Sequence, residues 1–253
     1  MLRPRFMMAS QGCGWDSGCF TTEHAIGLDQ LDSRAIGRTS CFAQRFMRPG
    51  CYRYNVVPGH GQSLSTDYPF EIHVTAQNGS EMTQHNVLVT DADRGFSVDQ
   101  AEIRINTGDL VLWTGNGATR SAFAVAGDQL FFNSHRMTNE CGYSHAFGTA
   151  GDYHWIDAYG SGLAGLVRVR QPDGADSKTL SAWQAQLSDG NLVMIADGKV
   201  DRAELDIMVG QTVFFAVVTG PGISITDTRL LEVATSRDQD GNARKDHGTN
   251  TRP

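Results

Sequence analysis

The chain has 253 residues, with 28 Asp and Glu against 21 Lys and Arg, a formal net charge of −7, and 40% hydrophobic residues. Its acidity, with no Lys/Arg cluster to release counterions from a phosphate backbone, excludes a general nucleic-acid binder. No apolar run approaches the roughly 18 residues that span a bilayer, and MLRPRFMMASQGCGW at the start lacks the continuous apolar middle of a secretory signal peptide.

In chain order, the predicted elements are nearly all strands. HNVLVT (85–90), AEIRI (101–105), DLVLWT (109–114), SAFAVA (121–126), YHWIDA (153–158) and LVRVR (166–170) are short, rich in β-branched or aromatic residues, and separated by Gly, Asn and Asp. Short strands at this spacing predict a sandwich or barrel. Gly108 and Gly210, each following an apolar run, predict tight turns that need a positive φ. Helix is expected only over TLSAWQAQL (179–187), and the polar tail from 236 to 253 is expected to be disordered.

The chain also resembles itself. AEIRINTGDLVLW (101–113) aligns with AELDIMVGQTVFF (203–215) at a register of 102, and CFAQRFMRPGCYRY (41–54) with GYSHAFGTAGDYHW (142–155) at a register of 101. A unit of about a hundred residues is the size of a small domain. On this alignment residues 68–172 hold a complete unit, residues 1–60 only the back half of one, and residues 190–235 only the front half, with 173–189 as a linker. An isolated half sandwich leaves an apolar face and strand edges open to water. Three resolutions are open: the two half units close on each other as a second, circularly permuted sandwich; they pair between neighbouring chains, giving self-association; or the chain is a fragment.

The order HNVLV, AEIRINTGDLVLWTGNG, an F-x-V strand, then YSHAFGTAGDYHWIDAYGSGLAGLVRV resembles the cupredoxins, the plastocyanin and azurin type of blue copper domain. The resemblance implies Greek-key β-sandwiches. It covers residues 85–170 well and 41–56 and 191–227 in part. It also implies an extracytoplasmic location, at odds with the lack of a signal peptide. The family's copper ligands are missing when carried over by position. Arg120 or Ser121 stands for the first His, Asp157 for the Cys, Tyr159 or Gly160 for the second His, and Leu163 for the Met. A type 1 site needs two imidazoles and a thiolate, so these are degenerate copper positions and no cofactor is expected there. In the first half unit only His60, beside the second-His position, survives.

The chain offers other groupings of metal-ligating side chains. His135, Cys141 and His145 form an H-x5-C-x3-H run with soft ligands for copper or zinc, and His60 is a fourth candidate ligand. Against this, His145 alternates with Tyr143 and Phe147 and reads as a packed strand histidine, Cys141 reads as an inert thiol, and His73 in FEIHV reads as a strand-face histidine. Asp157 with Arg120 reads as an ion pair replacing the lost metal, with Asp157, Tyr159, Arg120 and His154 as a harder-metal site the alternative. The five cysteines leave Cys13–Cys19 and Cys41–Cys51 open as bridges. No G-x-S-x-G, H-E-x-x-H, phosphate loop or C-x-x-C occurs. The expectation is therefore a non-enzymatic binding or scaffold module that has lost type 1 copper, with a protein partner or a second copy of itself. The alternatives are a copper-binding or electron-transfer protein using a non-standard His/Cys site, and a subunit of a multicopper oxidase or nitrite-reductase-like enzyme.

Overall fold

The computed structural model describes residues 30–61, 65, 67–76, 81–172, 177–187 and 190–231. The first eight strands are β1 (Ser40–Arg45), β2 (Gly50–Pro58), β3 (Phe70–Thr75), β4 (Gln84–Asp91), β5 (Phe96–Val98), β6 (Glu102–Asn106), β7 (Leu110–Gly115) and β8 (Phe123–Gly127). They are followed by β9 (Cys141–Ala146), β10 (Gly151–Ile156), β11 (Ala164–Arg170), helix α1 (Ser177–Gln186), β12 (Asn191–Ala196), β13 (Lys199–Val200), β14 (Glu204–Met208), β15 (Thr212–Val217) and β16 (Thr226–Asp227). The fold is an all-β sandwich. Among the described residues no helix is long and apolar enough to cross a membrane.

One eight-stranded sheet, ordered β13-β12-β15-β9-β1-β7-β4-β5, serves both halves of the molecule. A four-stranded sheet β6-β3-β2-β8 faces one half and β14-β11-β10-β16 faces the other. The strand sequences show why each sheet has an inside: β3, β6, β14 and β15 alternate buried and less buried residues with period two. Tyr54 meets Trp113 edge-on at 5.4 Å across the first core, and Trp155 meets Phe215 at 5.5 Å across the second. All four rings are almost wholly buried, and large aromatics supply most of the area removed from water in such cores.

The pairing of half units differs from the expected one. Residues 84–127 close against residues 40–75, and residues 191–227 close against residues 141–170. Each sandwich is thus built from strands contiguous in the chain, β1–β8 or β9–β16, and the stretch 68–172 is shared between them. The sequence offers β7 two partners of like pattern, CFAQR and CGYSHA, and local alternation does not choose between them. The structure pairs β7 with β1 and β15 with β9, then joins β1 to β9 antiparallel. No half sandwich is left open among the described strands, so the fold itself does not call for exchange between chains.

At that seam Phe42 lies directly opposite Tyr143, residues that the 101 register makes equivalent. Two connecting segments reinforce it. In the first, Ser33 N–H donates to Ile225 C=O at 2.9 Å and accepts from Ile225 N–H through its hydroxyl at 3.1 Å. Three residues on, Ile36 exchanges backbone hydrogen bonds with Phe123 of the other sandwich. In the second, Ser134 bonds Val125 in the same two ways, and Met137 exchanges bonds with Ile223. Each segment starts on one sandwich and ends on the other.

The tight turns behave as the glycines predict. Gly108 (φ 97°) and Gly210 (φ 89°) donate to Phe46 C=O and Phe147 C=O, both at 2.7 Å. Helix α1 is anchored to the second turn: Trp183 Nε1 donates to Val209 C=O at 2.9 Å, and Gln211 Nε2 donates to Gln186 C=O at 2.8 Å.

Candidate functional site at the junction of the two sandwiches

A chain of buried polar groups runs through the junction, and several residues singled out from the sequence lie on it. At one end Asp157 follows β10. Its Oδ1 accepts Tyr159 N–H at 3.1 Å and Ser224 N–H at 2.9 Å, and its Oδ2 accepts Ser161 N–H at 2.9 Å. The Ser224 hydroxyl lies 3.0 Å from that of Thr226, which donates to Asp32 Oδ1 at 3.5 Å. Asp32, on the first connecting segment, also takes Arg34 through both oxygens, and its Oδ2 stands 3.3 Å from His60 Nε2. Tyr143 Oη accepts Asp32 N–H at 3.1 Å and lies 3.3 Å from His145 Nδ1.

The electrostatics follow from burial and partners. Burial opposes ionisation of Asp157, but hydrogen bonds from Ser224, Ser161 and Tyr159 outweigh it and hold the carboxyl below its ordinary value. Asp32 behaves alike: desolvation is outweighed by His60 and Arg34. His145 is pushed down to about 4, chiefly by burial, against a smaller opposing pull from Asp227. His135 is also lowered, by burial first and then by the nearby charge of His60, and its buried Nε2 has no hydrogen-bond partner.

Of the four candidate ligands, His60 and His135 both lie near Asp32, while His145 reaches it through Tyr143. Cys141 is separate. It sits at the start of β9, four residues and about 13 Å along the strand from His145, so the two cannot share an ion. Burial raises the Cys141 thiol to about 12, as expected of an inert cysteine. The expected Asp157–Arg120 ion pair does not form: the Asp157 carboxylate is held by backbone amides, and Arg120 is an exposed residue whose backbone N–H donates to Asp91. Ser121 is exposed, Leu163 is buried as a plain apolar side chain, and Tyr159 stacks under Arg136 at 4.0 Å. A carboxylate bound to amides, an apolar Leu and a stacked phenol do not fit a type 1 copper ion. The Cys41–Cys51 bridge is also absent: Cys41 is buried with its Sγ 2.9 Å from Ser144 Oγ, while Cys51 is exposed and free. Cys13 and Cys19 lie outside the described residues.

A second grouping was missed in the sequence. On the outer face of β2 and β3, Cys51 stands directly opposite His73, with Glu71 two residues along. The Cys51 Sγ, one imidazole nitrogen of His73 and one carboxylate oxygen of Glu71 all lie within 4.8 Å of one another, and among the described residues no other set of three His, Cys, Asp or Glu side chains gathers its ligand atoms so closely. The alternation C-Y-R and E-I-H was readable, but the register that aligns them was not.

Comparison of the chain with protein-family models, with curated proteins and with solved structures finds no match.

Proposed function

We propose that this chain is a non-catalytic binding module of the cupredoxin-like type that has given up type 1 copper. The observation carrying this reading is the state of Asp157, which stands where the resemblance puts the copper thiolate. Its oxygens are engaged by the amides of Tyr159, Ser161 and Ser224, so it tethers a loop to the neighbouring strand region and offers no soft donor. The second connecting segment supports a recognition role, with Phe131 60% exposed and Arg136 stacked on the half-exposed Tyr159. Exposed aromatic and Arg side chains are those that most often anchor protein partners.

The test is to express the chain with copper present, dialyse it, and record its absorption spectrum. No intense blue thiolate-to-copper absorption is expected. A blue band would overturn the reading.

A further inference from the structure

We propose that Cys51, Glu71 and His73 form a binding site for a single zinc-class divalent ion on the outer face of the first sandwich. The donor set is one thiolate, one imidazole and one carboxylate, which selects a borderline-soft ion over magnesium or calcium. The three donors come from two antiparallel neighbours, with Cys51 and His73 paired in register. Directly opposed strand residues hold their Cβ atoms about 4.5–5.5 Å apart, which suits two ligands converging on one ion. Ligand atoms on a tetrahedral zinc stand about 3.3–3.8 Å apart. The present separations, all within 4.8 Å, need only rotamer adjustment.

The surroundings orient the ligands. Glu71 Oε1 takes Arg53 Nε at 3.1 Å, while its Oε2 points to His73 Nε2 at 3.2 Å. Arg53 can therefore keep its oxygen while the other turns to the ion, an outer hydrogen bond of the kind that fixes metal carboxylates. Glu102 Oε1 lies 3.5 Å from His73 Nε2 and is held at 2.6 Å by Arg104, so it borders the site with its charge largely matched. Three protein ligands leave a fourth position for water, the arrangement of an open zinc site.

The second sandwich supplies an internal comparison. The strand register that pairs His73 with Cys51 places Arg168 opposite Asp152. Arg168 bonds Glu204 at 2.6 Å and Asp206 at 3.6 Å. There one guanidinium meets both acidic side chains; in the first sandwich Arg53 and Arg104 meet Glu71 and Glu102 separately, and the place of Arg168 is taken by His73, which can ligate a metal when neutral.

The experiment uses the full chain, stripped with chelator and titrated with Co2+ and Zn2+. One equivalent of Co2+ should give a near-ultraviolet thiolate-to-cobalt band, displaced by Zn2+. Cys51→Ser should abolish the band, and His73→Arg, which copies the second sandwich's own solution, should weaken binding by roughly 10–100-fold or more, since a direct ligand is worth at least as much as an outer-sphere partner. Cys141→Ser and a Cys13→Ser/Cys19→Ser double variant should bind as the parent does. A second readout needs no variant: Zn2+ should slow alkylation of Cys51 in the native chain, followed by mass spectrometry. Absence of the band, its survival in Cys51→Ser or undiminished in His73→Arg, or alkylation of Cys51 indifferent to Zn2+ would each overturn the proposal.

Discussion

Burial keeps His145 neutral beside Tyr143, and neutrality has a cost in acid. In the unfolded chain the imidazole takes up a proton below about 6.5, while in the folded chain it does so only near 4. The unfolded state therefore binds more protons across that window, and stability falls as pH drops from 6.5 to 4. The shift corresponds to roughly 3 kcal/mol. Urea unfolding at pH 7, 5.5 and 4.5 should show that loss in the parent and a much flatter profile in His145→Gln; equal slopes would argue against it. Asp157 works with the same sign over a lower range. Its folded value lies below 3.8, so its contribution is present above that pH and fades as the pH falls through the folded value. Asp157→Ala leaves the buried amide of Ser224, and the part-buried amides of Tyr159 and Ser161, without this acceptor and should cost about 1–3 kcal/mol in urea unfolding at pH 7, with Asp157→Asn intermediate. The sequence singles out Asp157 by position alone; its partners are amides of residues 159, 161 and 224, and the last of these approaches only through tertiary folding. His60 and His135 were likewise visible as side chains, whereas Asp32, which both approach, belongs to a connecting segment with no periodicity to announce it.

Strands were the most legible elements, since alternation in β3, β6 and β14 is written in the residues that face each way. Which strand pairs with which was not, because β1 and β9 offer β7 and β15 nearly the same pattern. Helix α1 falls close to the segment expected from TLSAWQAQL, yet its anchoring by Trp183 to Val209 depends on a turn twenty-six residues away. Some glycines also carry packing information that composition hides. At Gly165, on β11, an added Cβ would stand 2.6 Å from the Trp155 indole nitrogen and 2.8 Å from the Ala203 carbonyl. Neither a buried indole nor a backbone oxygen gives way easily, so Gly165→Ala should destabilise by about 1–3 kcal/mol. Gly148, whose added Cβ meets nothing within 4 Å, is the control: Gly148→Ala should change the urea midpoint little. Equal effects at both positions would contradict the packing argument.

At the level of the molecule, the β1–β9 seam and the two crossing segments make the halves depend on each other. Unfolding followed by near- and far-ultraviolet circular dichroism should give coincident transitions; two separated transitions would show the sandwiches to be independent. A fragment of residues 30–130 keeps β1–β8 but exposes the edge of β1. Because Phe42 faces its equivalent Tyr143 in the whole chain, a second copy of the fragment can offer Phe42 in that place, and light scattering should find a dimer. A fragment monomeric at every concentration would argue against this. The crossing segments also bear on how the molecule meets anything else. Ser33 and Ile36 tie opposite sandwiches across a few residues, as do Ser134 and Met137, and the shared sheet runs unbroken between the two tied regions. Among the described residues these ties leave no hinge for a cleft to close around. On the proposed binding role, a partner would meet a surface whose ordering entropy was spent during folding, so little would be lost on docking, and substitutions in such a surface should register mainly in how long a complex lasts and much less in how fast it forms.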